Sequence, residues 1–192
     1  RTPAVFLDYD GVLTPIVAHP DLAVMPPETR VVVGRLAQTR LVAVVSGRDT
    51  ADVAAKVGIS GVWYAGSHGF DIVGPDGRPP ADTRLAGFDD YERLLSEAAD
   101  QLEHAIGDLP GCHVERKRFA VAVHFRQAED EAEERVEEIV RRVADDESQV
   151  RVTTGKKIFE LRPAIEWDKG RALDWIIDHV GLDLERSIPL YL

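Results

Sequence analysis

The chain contains a single cysteine, Cys112, among 192 residues. One thiol closes no disulfide within the chain and supplies no thiolate zinc site, and it fits a reducing, cytoplasmic setting. Positive charge is also scarce: 23 Lys and Arg face 34 Asp and Glu, for a formal net charge of −11. That balance excludes nonspecific nucleic-acid binding, which needs a basic face. No apolar run reaches the roughly 18 residues of a membrane span, so no membrane partner is expected. Internal repeats and low-complexity segments are absent as well. Neither an initiator Met nor a signal peptide precedes the first apolar run, so the start is expected to lie inside a longer polypeptide, with fused domains on either side an open matter. What remains is 44% hydrophobic and 30% charged, a globular composition with room for one core, or a core and a smaller lobe. An acidic chain that handles an anion must gather its few cations locally, so individual Lys and Arg residues carry weight.

The first part alternates short strands with helices. Ala4–Leu7 reads as a buried strand ended by a turn at Gly11. A helix follows from Pro26-Pro27-Glu28 to about Gln38, then a strand over Leu41–Val45, a helix from Asp49 to about Val57 and a strand over Gly61–Ala65. This order argues for a parallel sheet of βαβ units. Phe70–Val73 followed by Pro75-Asp76-Gly77 reads as a hairpin with an Asp-Gly turn. The middle changes character. Leu94, Leu95, Ala98, Leu102 and Ile106 recur at helical spacing, Val114–Phe125 alternates like strands, and Glu129–Ala144 is a charged helix whose acidic start and Arg141-Arg142 end suit the helix dipole. Strands are expected over Val150–Thr153 and Ile158–Leu161. The βαβ pattern then returns with a helix from Lys169 to Val180 and an apolar, buried strand from Ser187 to Leu192.

Four segments of this pattern carry polar chemistry at strand ends or helix starts. Asp8 and Asp10 lie one residue apart just past the first strand, where open α/β sheets bind their ligands. Carboxylates crowded there repel unless a cation or shared proton compensates, and Asp oxygens suit Mg²⁺. A capped strand-to-turn junction would use the same residue types. Ser46-Gly47-Arg48 offers a hydroxyl, a permissive glycine and a guanidinium at the mouth of a helix, a combination that suits a phosphate. Gly66-Ser67-His68-Gly69 follows the third strand, and Trp167-Asp168-Lys169-Gly170 opens the last helix. Two carboxylates, a hydroxyl, a cation and a metal are the parts of phosphoryl transfer.

At these residues the chain resembles the haloacid dehalogenase (HAD) superfamily of phosphotransferases. Asp8-x-Asp10-Gly11-Val12-Leu13, Ser46 and Lys169 match its first three motifs in order around an inserted block, with Val12 where Thr is commoner. More narrowly, the chain is similar to the trehalose-6-phosphate phosphatase family. That likeness runs through Asp8–Ile16, Ser46–Arg48, Ala65–Phe70, Val114–Lys117, His124–Arg126, Gly155–Pro163 and Trp167–Gly170. It implies a Rossmann-like α/β core with a parallel sheet, residues 1–81 and 165–192, and an inserted α+β cap, residues 82–164. The implied activity is hydrolysis of trehalose 6-phosphate through an aspartyl phosphate, in trehalose biosynthesis. Asp8 would be the nucleophile and Asp10 the general acid and base, while Ser46 and Lys169 would hold the phosphoryl oxygens. Arg48 and His68 would line the core side of the substrate pocket, and Glu115, Lys117 and Glu160 would bind sugar hydroxyls from the cap. Mg²⁺ would be held by Asp8, by the Asp10 carbonyl and by a further Asp expected in a Gly-Asp-Asp motif after Leu192. An apolar strand that stops at its functional end reads as a cut through a longer chain.

Each of these residues also has a plainer reading. Lys169 alone is an ordinary helix residue, Asp168 a helix cap and His68 a packed turn histidine. His124 reads as a strand histidine facing a neighbour, without a catalytic role. Glu115 and Lys117 alternate as in any half-exposed strand, and Glu129–Glu138 as a solvated helix face. Gly155-Lys156-Lys157 lacks the rest of a nucleotide-binding loop. Another sugar-phosphate phosphatase, a phosphosugar mutase or a non-catalytic phosphatase-like module are the alternative functions.

Overall fold

In the computed structural model, which describes residues 1–17, 19–81, 88–129, 132–145 and 149–192, the first apolar run becomes β1 (Thr2–Asp8), a strand with neighbours on both sides. β1 pairs in parallel with β2 (Val42–Val45) and with β9 (Ser187–Tyr191). β3 (Trp63–Gly66) extends the parallel set beyond β2, and β4 (Asp71–Val73) closes that edge antiparallel, giving the order β4-β3-β2-β1-β9. Strands buried on both faces need apolar side chains on both, and β1 to β3 have them. On one face, Val5, Leu7, Val42, Val44 and Tyr64 share a core cluster with Val33 of α1 (Pro27–Ala37) and with Val53 and Val57 of α2 (Thr50–Val57). On the other, Trp63 meets Trp175 of α5 (Lys169–His179) edge-on, with ring centroids 6.2 Å apart. These elements form one compact unit, Arg1–Ala81 with Trp167–Leu192, and Asp82–Glu166 form a second.

The second unit is a four-stranded antiparallel sheet with two helices on one face. β5 (His113–Lys117), β6 (Ala120–His124), β8 (Ile158–Pro163) and β7 (Val150–Gly155) stand in that order. α3 (Phe88–Ile106) and α4 (Ala132–Asp145) turn Leu95, Leu102, Val136 and Val140 onto Val123, Phe159 and Leu161. The alternate residues of the strands make the other face. There the register aligns Glu115 with Ala122, Ala122 with Glu160, and Glu160 with Thr153 in one row.

Two sequence expectations need correction. The Asp76-Gly77 turn forms, closed by the Gly74 N–H donating to Arg78 O at 2.8 Å, but β4 finds its partner upstream in β3, across the tight turn Ser67–Gly69. β9 is not buried. Among the described residues it pairs only with β1, and as an edge strand it leaves Leu190 42% and Tyr191 51% exposed. The expected boundary at residue 82 and the start of the charged helix through residues 130–131 lie outside the described residues.

Gly69 fixes how close the Ser67–Gly69 turn comes to α5. Its φ is +95°, and an added Cβ would sit 2.5 Å from the Ala172 Cβ and 3.0 Å from Asp168 O. Gly69→Ala is therefore expected to lose roughly 2–4 kcal/mol of stability, from left-handed backbone and overpacking together, read by urea unfolding.

Candidate active site

The C-terminal ends of β1, β2 and β3 lie level, because Asp8 is in register with Val45 and Val45 with Ala65. The chain steps from β1 to β2 and β3 on one side and returns with β9 on the other. Asp8 therefore sits at a topological switch point, the crevice where α/β sheets bind ligands. Past Asp8 the backbone coils tightly. Leu13 N–H donates to Asp8 O and Tyr9 O, and Gly11, at φ +90°, lets its own N–H reach Thr14 O at 2.9 Å. The Tyr9 ring is buried, and its hydroxyl anchors to Ala23 O at 2.8 Å.

Each carboxylate at this strand end meets a cation. Lys169 Nζ lies 2.5 Å from Asp8 Oδ2, joining the first residue of α5 to the last of β1. Tyr191 Oη donates to the same oxygen at 3.3 Å, and burial together with the Asp8 charge pushes the Tyr191 phenol pKa up. Arg48 grips Asp10 with both prongs: Nε to Oδ2 at 2.9 Å and Nη2 to Oδ1 at 2.7 Å. Its Nη1 reaches Asp52 Oδ2 at 3.2 Å, and the guanidinium lies over the Tyr9 ring, 5.2 Å from its centroid. The bonds to Asp10 hold Arg48 more firmly protonated than an ordinary arginine.

Ser46 is fully buried; its Oγ accepts from Arg48 N at 3.1 Å and can donate in turn. Gly47 leaves room for His68, since an added Cβ would stand 2.8 Å from Cε1 of the imidazole and would have to displace the ring. Ser67 and His68 are consecutive left-handed residues, with φ of 49° and 57°, a conformation that costs about 1–3 kcal/mol each outside glycine. Three bonds hold them there: Ser67 N to Arg48 O at 2.6 Å, His68 N to Ser46 O at 2.9 Å, and Ser67 Oγ to Asp49 Oδ1 at 3.0 Å. Asp49 stands at the N-cap of α2 yet makes no capping bond, because its carboxylate serves this brace. Asp168 does cap α5, accepting from Arg171 N at 2.9 Å, and Trp167 Nε1 donates to Gly69 O at 2.7 Å.

The first unit thus pairs Asp8 with Lys169 and Asp10 with Arg48, and it sets His68 against Gly47. Glu115, Lys117 and Glu160 belong to the second unit, where they meet on the face of the sheet opposite α3 and α4. Lys117 Nζ lies 3.1 Å from Glu160 Oε1 and 3.6 Å from Glu115 Oε2. Arg162 pairs with Glu160 Oε2, and His124 Nε2 lies 2.8 Å from Glu115 Oε2. Burial pushes the Glu160 pKa up, but Lys117 and Arg162 outweigh it and leave the carboxyl below its ordinary range. Tyr191, Asp52 and Arg162 escaped the sequence reading, while His124, read as a strand histidine facing a neighbour, meets Glu115. Asp52 carried a local signal in its i+4 spacing from Arg48 on a helix start, and Arg162 in its i+2 spacing from Glu160 on one strand; Tyr191 and His124 depend on strand pairing.

No three His, Cys, Asp or Glu side chains gather into a metal-holding cluster among the described residues. The Asp8 carboxylate and the Asp10 carbonyl are nevertheless hard oxygen donors. They fit Mg²⁺ in kind, because this ion commonly takes one or two protein carboxylates and completes its shell with substrate phosphate and water.

Comparison with known proteins agrees with this arrangement. The sequence matches the trehalose-phosphatase family over residues 6–192. The chain belongs to that family. It is 45% identical to the trehalose-phosphate phosphatase of Mycobacterium tuberculosis (strain ATCC 25618 / H37Rv) over 195 residues, covering 100% of this chain and 48% of the relative. The chain therefore spans about half the length of the curated relatives it matches. Its fold is similar to the crystal structure of a trehalose-6-phosphate phosphatase related protein, with a TM-score of 0.72 and 23% identity over 97% of this chain and 76% of that one. It is also similar to Aspergillus fumigatus trehalose-6-phosphate phosphatase, with a TM-score of 0.61 and 25% identity over 100% of this chain and 72% of that one. The α/β architecture with a largely parallel sheet is that of the HAD-fold phosphatases. Among the described residues, no helix is long and apolar enough to cross a membrane.

The lowered Glu160 pKa has a thermodynamic consequence. A carboxylate held below its unfolded value adds stability above about pH 4.5 and loses it as pH falls through the folded value. Glu160→Gln is expected to unfold more easily than the parent at neutral pH, by roughly 1–3 kcal/mol. The gap should close as pH is lowered below the ordinary glutamate range, read by denaturant melts across pH.

Proposed function

We propose that this chain carries out its family's hydrolysis of trehalose 6-phosphate to trehalose and phosphate. The observation that carries the reading is the 2.5 Å pair between Lys169 and Asp8 at the switch point of the sheet. In this reading an Asp8 carboxylate oxygen attacks phosphorus; the new P–O bond forms as the bond to the sugar oxygen breaks. Asp10 gives its proton to that leaving oxygen. Water then attacks the aspartyl phosphate, Asp10 takes up a proton from it, and phosphate leaves as Asp8 is regenerated. Lys169 and the Ser46 hydroxyl hold the phosphoryl oxygens, with Lys169 offsetting the charge that Asp8 brings to an anionic substrate. Arg48 and His68 line the same side. Both Asp10 oxygens accept from Arg48, and each keeps a further lone pair through which Asp10 can take up and give its proton.

The second unit is the cap in this reading, residues 82–164 by the sequence boundary, and Glu115, Lys117 and Glu160 are its sugar-binding residues. Mg²⁺ held by the Asp8 carboxylate and the Asp10 carbonyl would neutralise charge on the phosphoryl oxygens.

The test is phosphate release from trehalose 6-phosphate by the full-length protein, with and without Mg²⁺, beside a panel of other sugar phosphates. Turnover is expected to be Mg²⁺-dependent and fastest with trehalose 6-phosphate; faster turnover of another sugar phosphate rejects the substrate assignment. Asp8→Asn should lower kcat by about 10³-fold or more while leaving the thermal midpoint close to that of the parent. Substantial remaining turnover would remove Asp8 as the nucleophile.

A further inference from the structure

The polar face of the second sheet holds a residue that the assignment above leaves without a role. His124 is directly opposite His113 in the β5·β6 register, and the two rings stack, with centroids 4.6 Å apart and planes within 6° of parallel. From that position His124 Nε2 reaches Glu115 Oε2 at 2.8 Å. Nε2–H donates to this oxygen in one neutral tautomer and in the imidazolium alike.

The bonding around Glu115 shows why this contact matters. Glu160 is 8% exposed, and its two oxygens are taken by different cations, Lys117 on Oε1 and Arg162 on Oε2. Lys117 is thus drawn toward Glu160 and stands farther from Glu115, at 3.6 Å. The bond from His124 is the shorter of the two contacts at Glu115, and it converges on the same oxygen as Lys117. A glutamate side chain has three rotatable bonds and loses much rotamer freedom when a ligand fixes it. Ala122, fully buried in the row between Glu115 and Glu160, offers Glu115 only a methyl group to pack against and no polar atom to orient its carboxylate.

We propose that His124 is a positioning residue: braced by its stack on His113, it holds the Glu115 carboxylate in the orientation that binds a hydroxyl of the substrate's sugar. This rests on the reading of Glu115 as a sugar-binding residue. The ordering cost of Glu115 is met before the ligand arrives, which strengthens binding without touching the reacting atoms.

The experiment is steady-state kinetics of the full-length protein with trehalose 6-phosphate and Mg²⁺, for His124→Ala, His124→Gln, Glu115→Ala and the His124→Ala/Glu115→Ala double variant. Thermal midpoints are recorded alongside. His124→Ala is expected to raise KM about tenfold with kcat changed far less. His124→Gln, whose amide nitrogen falls near the Nε2 position, should recover most of that loss. In the double variant the His124 substitution should add nothing to Glu115→Ala. Additive losses, or no rescue by glutamine, would mean a general structural role and overturn the proposal. If Glu115→Ala raises KM and His124→Ala leaves it unchanged, the positioning role fails while the sugar-binding reading stands. If Glu115→Ala leaves KM unchanged, the sugar-binding reading fails, and the proposal with it. Should His124→Ala fail to fold, His124→Asn against His124→Gln makes the same comparison, because the asparagine amide is too short to reach Glu115.

Discussion

Two carboxylates one residue apart at the end of a central strand can persist only if something answers their charge, and this requirement organises the first unit. The fold brings one cation to each. Lys169 arrives on Asp8 as the first residue of α5, after the whole second unit has intervened in sequence. Arg48 arrives on Asp10 from the connection between β2 and α2. The two cations differ in kind as well as origin. A lysine ammonium is a compact point charge on a flexible stem, able to share itself between Asp8 and an incoming anion. The arginine fork fixes the plane of Asp10 and is itself held from the far side by Asp52.

The same crevice stores backbone strain, and its cost is met by cross-bracing. Two left-handed non-glycine residues in a row, Ser67 and His68, would not persist in a free turn. Their amides are tied to carbonyls of the loop after β2, and the Ser67 hydroxyl takes the Asp49 carboxylate that a helix start would otherwise use. In exchange, the imidazole of His68 is set over a glycine that leaves it room. Strain of this sort concentrates at functional sites because only a surrounding structure that over-determines it can hold it.

Much of this was legible in local sequence. The β1 run, the acidic pair behind it and the return to βαβ pattern at Lys169 are periodicity and turn signals, and they gave the α/β class directly. What failed did so for identifiable reasons. Gly47 was visible as a glycine, but its function is steric and depends on a histidine that sequence does not place. Asp49 marked the start of α2 correctly, while its side chain answers a residue on another loop. Ile188–Leu192 read as buried because apolar strands usually are, yet burial depends on neighbours, and β9 has one among the described residues. Lys169 looks like any helix lysine until the order of the motifs around it is considered. His124 was read as a strand histidine facing a neighbour, and the neighbours proved to be His113 and Glu115. A diagonal contact across two strands appears in no single segment.

The distribution of charge also bears on what each unit can bind. In a chain of net charge −11, Lys169 of the first unit stands against the single carboxylate of Asp8 at the strand end, where an anionic group can compete for it. The second unit is arranged differently. Lys117 is shared by two carboxylates, and Glu160 is taken by two cations. In a partly buried network of this kind, an anion could enter only by displacing a carboxylate and stranding its charge, which costs far more than a hydrogen bond returns. A hydroxyl both donates and accepts, so it can join at Glu115 or Lys117 without leaving any charge unmet. The pairing pattern of each unit, taken by itself, thus leaves an anion room to compete beside Lys169 and an uncharged hydroxyl room to join at Glu115 or Lys117.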